Sequence, residues 1–146
     1  MNRMLVLAEW QRAGQALRTA EVLADAGYAA DALSRAYYAT LHAAKAALYV
    51  HDVATASHAA VRRMFGLPVI RSGDIERAWA SHLGEILDDR LAADYDVETE
   101  VTSDEAHQAC QRARAFLGRI RDYLLTKDLT GAELNLESRP SEDGSG

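Results

Sequence analysis

The stretch "SRAYYATLHAAKAALYV" (residues 34–50) decides the fold of this chain. Its small apolar residues recur every three or four positions, which is the period of one face of an α-helix. We therefore expect a helix over about residues 28–51. The inward face of this helix is predicted to carry Ala29, Leu33, Ala36, Thr40, Ala43, Ala47 and Val50. Because most of these side chains are small, a neighbouring helix can approach closely.

The composition fits a single helical domain. The chain has 146 residues, of which 49% are hydrophobic, and it contains only two prolines. Its net charge of −6 argues against a broad surface that coats nucleic acid, although a local basic cleft remains open. Cys110 is the only cysteine, which excludes an intramolecular disulfide and a cysteine-based zinc cluster. We expect a cytoplasmic protein with no secretory leader and no membrane span.

The same periodicity predicts helices on both sides of the central one. A first helix is expected over residues 3–26, ending at Gly27 and forming an antiparallel hairpin with the second. Its inward residues are predicted to be Val6, Trp10, Ala13, Leu17, Ala20 and Ala24. A short third helix is expected over residues 55–66, where Gly66 and Pro68 end it.

Two more helices are expected in the second half of the chain. One runs over about residues 74–91 with Asp74 as its N-cap, and residues 93–103 are interpreted as a loop. The last begins after Thr102, which has capping-box spacing to Glu105, and reaches about residue 126. The fold class predicted is all-α, an antiparallel bundle of four main helices plus a short fifth helix. The bundle is assigned to residues 1–128, and residues 129–146 are expected to form a disordered acidic tail.

A polar stripe lies along the central helix. It is defined by Arg35, Tyr38, His42, Lys45 and Tyr49, which step by three and four along one helical face. One interpretation is a solvated face whose long side chains cover apolar neighbours. The other is a binding site or a subunit interface, because arginine and tyrosine are favoured at phosphate sites and in interface cores.

Other polar residues point less clearly to a site. The histidines at 51, 58 and 82 lack ligand-like spacing with carboxylates, so we predict no metal site and no cofactor. Four aspartates, at 88, 89, 94 and 96, surround Arg90, and a solvated helix end accounts for them. Cys110 is expected to be buried and inert between Ala109 and Ala113.

Three stretches carry a resemblance to a known family. The segment "SRAYYATLHAAKAAL" (34–48) resembles the signature second helix of HEPN domains, the higher-eukaryote-and-prokaryote nucleotide-binding family. The stretches "TASHAAVRRMFG" (55–66) and "DDRLAADYD" (88–96) are similar to later parts of the same bundles. The resemblance covers about residues 1–126. It implies a homodimer and, as for many members, a small nucleotidyltransferase antitoxin as partner.

The resemblance also implies a site. Active members are metal-independent ribonucleases with an Arg-x4–6-His motif at the dimer cleft. Arg90 matches the arginine, and Tyr95 stands where the histidine is expected. With a pKa of about 10, a tyrosine is a poor general base at neutral pH. Arg35 and His42 have the spacing of the motif but lie on the second helix. In related pairs the nucleotidyltransferase adenylylates a tyrosine near the motif, which makes Tyr95 the candidate for modification.

Three functions follow as hypotheses. The first is a dimeric HEPN component of a toxin–antitoxin or defence module, which binds RNA or nucleotide in its dimer cleft through Arg35, Tyr38, Lys45 and Asp96. The second is an active metal-independent endoribonuclease that uses Arg90, Tyr95 and His42. The third is a helical module with a purely structural role in a larger complex.

Overall fold

The computed structural model describes residues 1–55, 57–95 and 100–135, and at residues 68 and 89–95 it describes the backbone only. Over these residues the secondary structure is helical and contains no strand, which confirms the predicted all-α class. The helices are α1 (Arg3–Asp25), α2 (Ala29–Val50), α3 (His58–Met64), α4 (Arg77–Tyr95) and α5 (Ser103–Leu125). A π-helical segment, Phe65–Val69, continues directly from α3.

The four long helices run up, down, up and down. Contacts between α1 and α2 join the start of one helix to the end of the other, as in the ion pair of the Met1 amino group with Asp52. The end of α1 meets the start of α5, where Asp25 lies 3.2 Å from His107. The start of α4 meets the end of α5 through Glu76 and Arg119. This order is that of an antiparallel bundle.

The α1–α2 hairpin turns at the glycine that the sequence indicated. Gly27 has a φ of +92°, a conformation that costs a glycine little because it has no Cβ. Asn2 caps the start of α1 by accepting a hydrogen bond from the Leu5 amide. All six residues predicted for the inward face of α1 are buried.

The central helix, α2, is buried over more of its circumference than a single seam requires. It packs against α1, α3, α4, α5 and the π-helical segment. Of its predicted inward face, Ala36, Thr40, Ala43 and Ala47 are buried, while the residues nearer its ends are partly exposed. Buried residues outside that predicted face are Ala32, Tyr37, Ala39, Leu41, Ala44, Ala46 and Leu48. The polar stripe therefore follows a narrow, partly exposed edge of an otherwise buried helix.

The structure corrects the boundaries of α3 and α4. The third helix begins at His58, after Ser57 caps it, and the π-helical segment carries the chain past Gly66. The fourth begins at Arg77, so Asp74 is not its N-cap. Gly73, with a φ of +83°, keeps this stretch in a turn, and the Asp74 carbonyl instead accepts a hydrogen bond from Arg119.

The end of α4 also lies later than expected. The helix extends to Tyr95, so residues 93–95 of the predicted loop are helical. Residues 96–99 lie outside the described residues. The fifth helix matches its prediction closely: Thr102 and Glu105 form the reciprocal hydrogen bonds of a capping box. Its six predicted inward residues are buried: Ala106, Ala109, Ala113, Leu117, Ile120 and Leu124.

The first residues of the predicted tail pack on the bundle. Leu129 and Leu134 are buried with the core, at 4% and 0% exposure. Arg3 holds this segment through Glu133 and the Asp128 carbonyl. Two leucines five residues apart do not form a periodic pattern, so the sequence did not predict this packing. The packing depends on contacts of the segment with α1 and α5. Residues 136–146 lie outside the described part of the chain.

Among the described residues, none of the helices combines the length and the apolar character needed to cross a bilayer.

Candidate functional site

A buried glutamate lies under the polar stripe. Glu9, in the second turn of α1, is only 5% exposed. Its Oε2 lies 2.6 Å from Nδ1 of His42. Its Oε1 lies 3.4 Å from a guanidinium nitrogen of Arg12 and 3.7 Å from Nζ of Lys45. A carboxylate in such a place must be paired, because an unpaired buried charge is costly.

The surroundings of Glu9 favour its ionised form. Burial by itself would raise the pKa of this carboxyl group. The hydrogen bond from His42 and the positive charges of Lys45, His42 and Arg12 outweigh that effect and lower the pKa below its ordinary value. The group is therefore an anion at neutral pH and fixes the direction in which the imidazole ring of His42 points.

A groove opens between α1 and α2 above this carboxylate. It encloses about 530 Å³. Its polar lining residues are Arg12, Gln15 and Thr19 from α1, and Arg35, Tyr38 and His42 from α2. None of the described residues that line it is acidic, in a chain whose net charge is −6. The groove is thus a local concentration of hydrogen-bond donors and positive charge.

Aromatic rings form one end of the groove. The ring of Tyr38 stacks on that of His42, with centroids 6.5 Å apart, and meets the edges of Tyr37 and His58. The hydroxyl of Tyr37, a buried residue, is hydrogen-bonded to Nδ1 of His58 at the start of α3. These contacts hold Tyr38 in place, so the groove has a fixed aromatic wall.

The residues predicted as a site lie in different parts of the chain. Arg35, Tyr38 and His42 line the groove together. Lys45 is partly buried beside Glu9, further along α2. The backbone of Arg90 and Tyr95 belongs to the last part of α4. Their predicted place at a dimer cleft stays a prediction. Asp96 lies outside the described residues.

Sequence reasoning missed Glu9 and Arg12. Glu9 follows Val6 by three positions and precedes Ala13 by four, which places it on the buried seam of α1. The available signal was a carboxylate at a buried seam position of α1, together with the basic residues His42 and Lys45 on the next helix. It could be used only once the register between α1 and α2 was known, because that register decides which residues face Glu9.

The other described histidines have structural contacts. His51 hydrogen-bonds the hydroxyl of Tyr123 at 2.8 Å, and His82 the carbonyl of Arg112 at 2.9 Å. The described residues contain no cluster of three metal-binding side chains. Cys110 is buried, and burial followed by the nearby carboxylate charges raises the pKa of its thiol to about 11. It is therefore a poor nucleophile at neutral pH.

Comparison with known proteins identifies the family. The HEPN domain matches residues 7–123, which is most of the chain. This protein belongs to the HEPN family. The matched region contains all five helices described above, apart from the first turn of α1 and the last residues of α5. The predicted resemblance of this chain to HEPN domains is thereby confirmed.

Proteins of Methanocaldococcus jannaschii and Pyrococcus horikoshii are among those similar to this HEPN protein. One protein of Methanocaldococcus jannaschii, named "putative toxin", is 26% identical over 123 residues, or 84% of each chain. A second protein of that organism with the same designation is 34% identical over 108 residues, covering 74% of this chain and 80% of the relative. A UPF0332 protein of Pyrococcus horikoshii is 45% identical over 67 residues, 46% of this chain and 47% of its own length.

Proposed function

We propose that this protein is the HEPN component of a toxin–antitoxin module or defence module, and that it binds RNA or nucleotide as a dimer. The observation that carries the proposal is the groove lined by Arg35, Tyr38 and His42. Arginine matches the geometry of phosphate, and an aromatic ring can stack on a base. The toxin designation of two relatives supports the biological role.

Dimerisation is part of this proposal. The polar stripe of α2 brings this groove to the dimer interface, and the second copy extends the cleft beyond it. Light scattering of the purified chain at micromolar concentration tests it, with a mass of about twice 16.0 kDa expected. A single subunit at that concentration would contradict the dimer.

The binding experiment uses fluorescence anisotropy with a labelled short RNA. The Arg35→Ala variant should weaken binding about tenfold, because a charged hydrogen bond to phosphate is lost. Arg71→Ala is a matched control, since this exposed arginine lies in the turn before α4 and does not line the groove. Equal RNA affinity of the Arg35→Ala variant and the wild type would contradict the proposal.

The antitoxin we propose is a small nucleotidyltransferase, and Tyr95 is the residue on which it acts. The phenolic oxygen of Tyr95 would attack the α-phosphorus of ATP, which forms a phosphodiester to AMP and releases pyrophosphate. The added negative charge would oppose RNA binding nearby. Intact mass after incubation with the partner and ATP tests this, with Tyr95→Phe as the control. Adenylylation that persists in Tyr95→Phe would remove the assignment.

A second candidate function is metal-independent endoribonuclease activity. The hydrogen bond between Glu9 and His42 favours it, because a histidine oriented by a carboxylate is a common general base. RNA cleavage in EDTA, compared among wild type, His42→Ala and Arg90→Ala, decides it. Cleavage that both variants lose supports the enzyme. If the wild type does not cleave the RNA, the endoribonuclease function is excluded and only the binding function remains.

A further inference from the structure

The α1–α2 groove is complete within one subunit. Both of its walls come from helices of the same hairpin, and its volume of about 530 Å³ lies within the usual range for small-molecule sites. That volume fits one nucleotide better than a folded RNA.

The donor set suits a terminal phosphate. Arg12 lines the groove from α1, and Arg35 and His42 line it from α2. A phosphate monoester presents three strong acceptor oxygens, whereas an internal phosphodiester presents two. Three donor side chains, with no acidic residue among the described lining, match the monoester more fully.

The role of Glu9 follows from the two nitrogens of His42. Nδ1 is engaged by Glu9 at 2.6 Å, so Nε2 is the nitrogen left for a ligand in the groove. The ionised carboxylate accepts a hydrogen bond from Nδ1 and so fixes the orientation of the ring. Because Glu9 is 5% exposed, it does this without placing its own charge on the groove surface.

We propose that the α1–α2 groove of each subunit binds the phosphate of a nucleoside monophosphate, and that Glu9 is the residue positioning His42 for it. Arg12, Arg35 and Nε2 of His42 contact the phosphate oxygens, and the ring of Tyr38 is available to the base. The inference deepens the proposed function and rests on it. It names the ligand class, adds Glu9 and Arg12, and places the pocket within a single subunit.

Calorimetry with the full chain measures the binding. The probes are adenosine 5′-monophosphate, inorganic phosphate and adenosine. We expect one monophosphate per subunit, with adenosine at least about tenfold weaker because it lacks the phosphate contacts. Arg12→Ala should weaken monophosphate binding about tenfold for the same reason. Equal affinities for adenosine and its monophosphate, or full affinity in Arg12→Ala, would overturn the phosphate site.

The positioning role needs a readout that a purely structural role does not change. The ¹⁵N chemical shifts of the His42 ring report which nitrogen carries the proton. Glu9→Ala should shift them and weaken monophosphate binding about tenfold. Glu9→Gln keeps an acceptor for Nδ1 but lacks the charge, so it should restore the ring shifts and part of the affinity. If Glu9→Ala does not fold, the same two measurements are made on Glu9→Gln alone.

Glu21→Gln is the matched control, because Glu21 lies on the same helix but pairs with Arg114 outside this groove. It should leave both readouts unchanged. Wild-type affinity together with unchanged His42 shifts in both Glu9 variants would overturn the positioning role. RNA binding that depends on Arg35, without any monophosphate binding, would overturn this inference and leave the proposed function standing. Monophosphate binding without RNA binding or toxicity would retain the site and remove the wider function.

Discussion

Glu9 on α1 and His42 on α2 are joined by a hydrogen bond of 2.6 Å between Oε2 and Nδ1, across 33 positions of the chain. The contact links the two helices of the hairpin and sets the direction of a ring that lines the groove. Lys45 and Arg12 complete the environment of the same carboxylate. The ion pairs around this buried carboxylate contribute to stability as well as to binding.

Stability should depend on the charge of Glu9. Its pKa is lowered in the folded state, so its ionised form stabilises the fold above its unfolded pKa of about 4.3. This contribution is lost as pH falls through the lower, folded pKa. At pH 7, Glu9→Gln should reduce the free energy of unfolding by about 1–3 kcal/mol, because the partly buried side chains of His42 and Lys45 lose their anionic partner. At pH 3 the difference from wild type should be smaller.

Urea unfolding at the two pH values measures this effect. Glu85→Gln is the control. Glu85 is exposed, and its Oε2 makes only a long contact of 4.0 Å with the guanidinium group of Arg112. Its free energy of unfolding should stay within about 0.5 kcal/mol of wild type at both pH values. A Glu9→Gln deficit that grows on acidification would contradict the assigned protonation state.

The small side chains of α2 should resist enlargement. Ala43 is fully buried, and the chain packs closely around it. Ala43→Leu should lower the free energy of unfolding by about 1–3 kcal/mol, because the extra atoms force neighbouring groups apart. Ala30→Leu, at an exposed position of the same helix, should change it by less than about 0.5 kcal/mol. Thermal or urea unfolding that ranks the two variants equally would contradict the packing.

The segment after α5 should contribute to the core. Leu134 is fully buried, so Leu134→Ala should cost about 2–4 kcal/mol in the free energy of unfolding. Leu125→Ala, at a residue 37% exposed, should cost clearly less. Urea unfolding compares the two variants.

Truncation tests where the folded domain ends. A chain ending at Asp128 loses both Leu129 and Leu134 and should be destabilised by about 3 kcal/mol or more. A chain ending at Asn135 should unfold like the full chain if the residues after it form the disordered tail that we propose. A large loss of stability in the longer of these two truncated chains would refute that tail.

Cys110 should react slowly in the folded protein. Its thiol is 5% exposed and has a pKa raised to about 11, so the thiolate fraction at pH 8 is about two orders of magnitude below that of an ordinary cysteine. Labelling with a thiol-reactive disulfide at pH 8 should be slow in native buffer and fast in urea. Fast native labelling would show that this part of α5 opens readily.

Several elements could be predicted from local pattern alone. The seams of α1 and α5 were correct in every residue named, because period 3.6 fixes which side chains share a face. The turn at Gly27 and the capping box of Thr102 with Glu105 depend on residues within a few positions of each other. The boundaries of α3 and α4 were less accurate, since a π-helical segment and an extended last turn depend on packing against the rest of the bundle.

The sequence by itself determined the helical class, the seams and the polar stripe of α2, because these follow from spacing along one helix. Only the tertiary structure decided that Glu9 faces His42 and that Arg12 and Arg35 line one groove. Those relationships depend on the register between α1 and α2, which arises from the packing of many side chains at once. A periodic pattern predicts which face of a helix is buried, whereas the helix that packs on that face determines the partner of each buried charge.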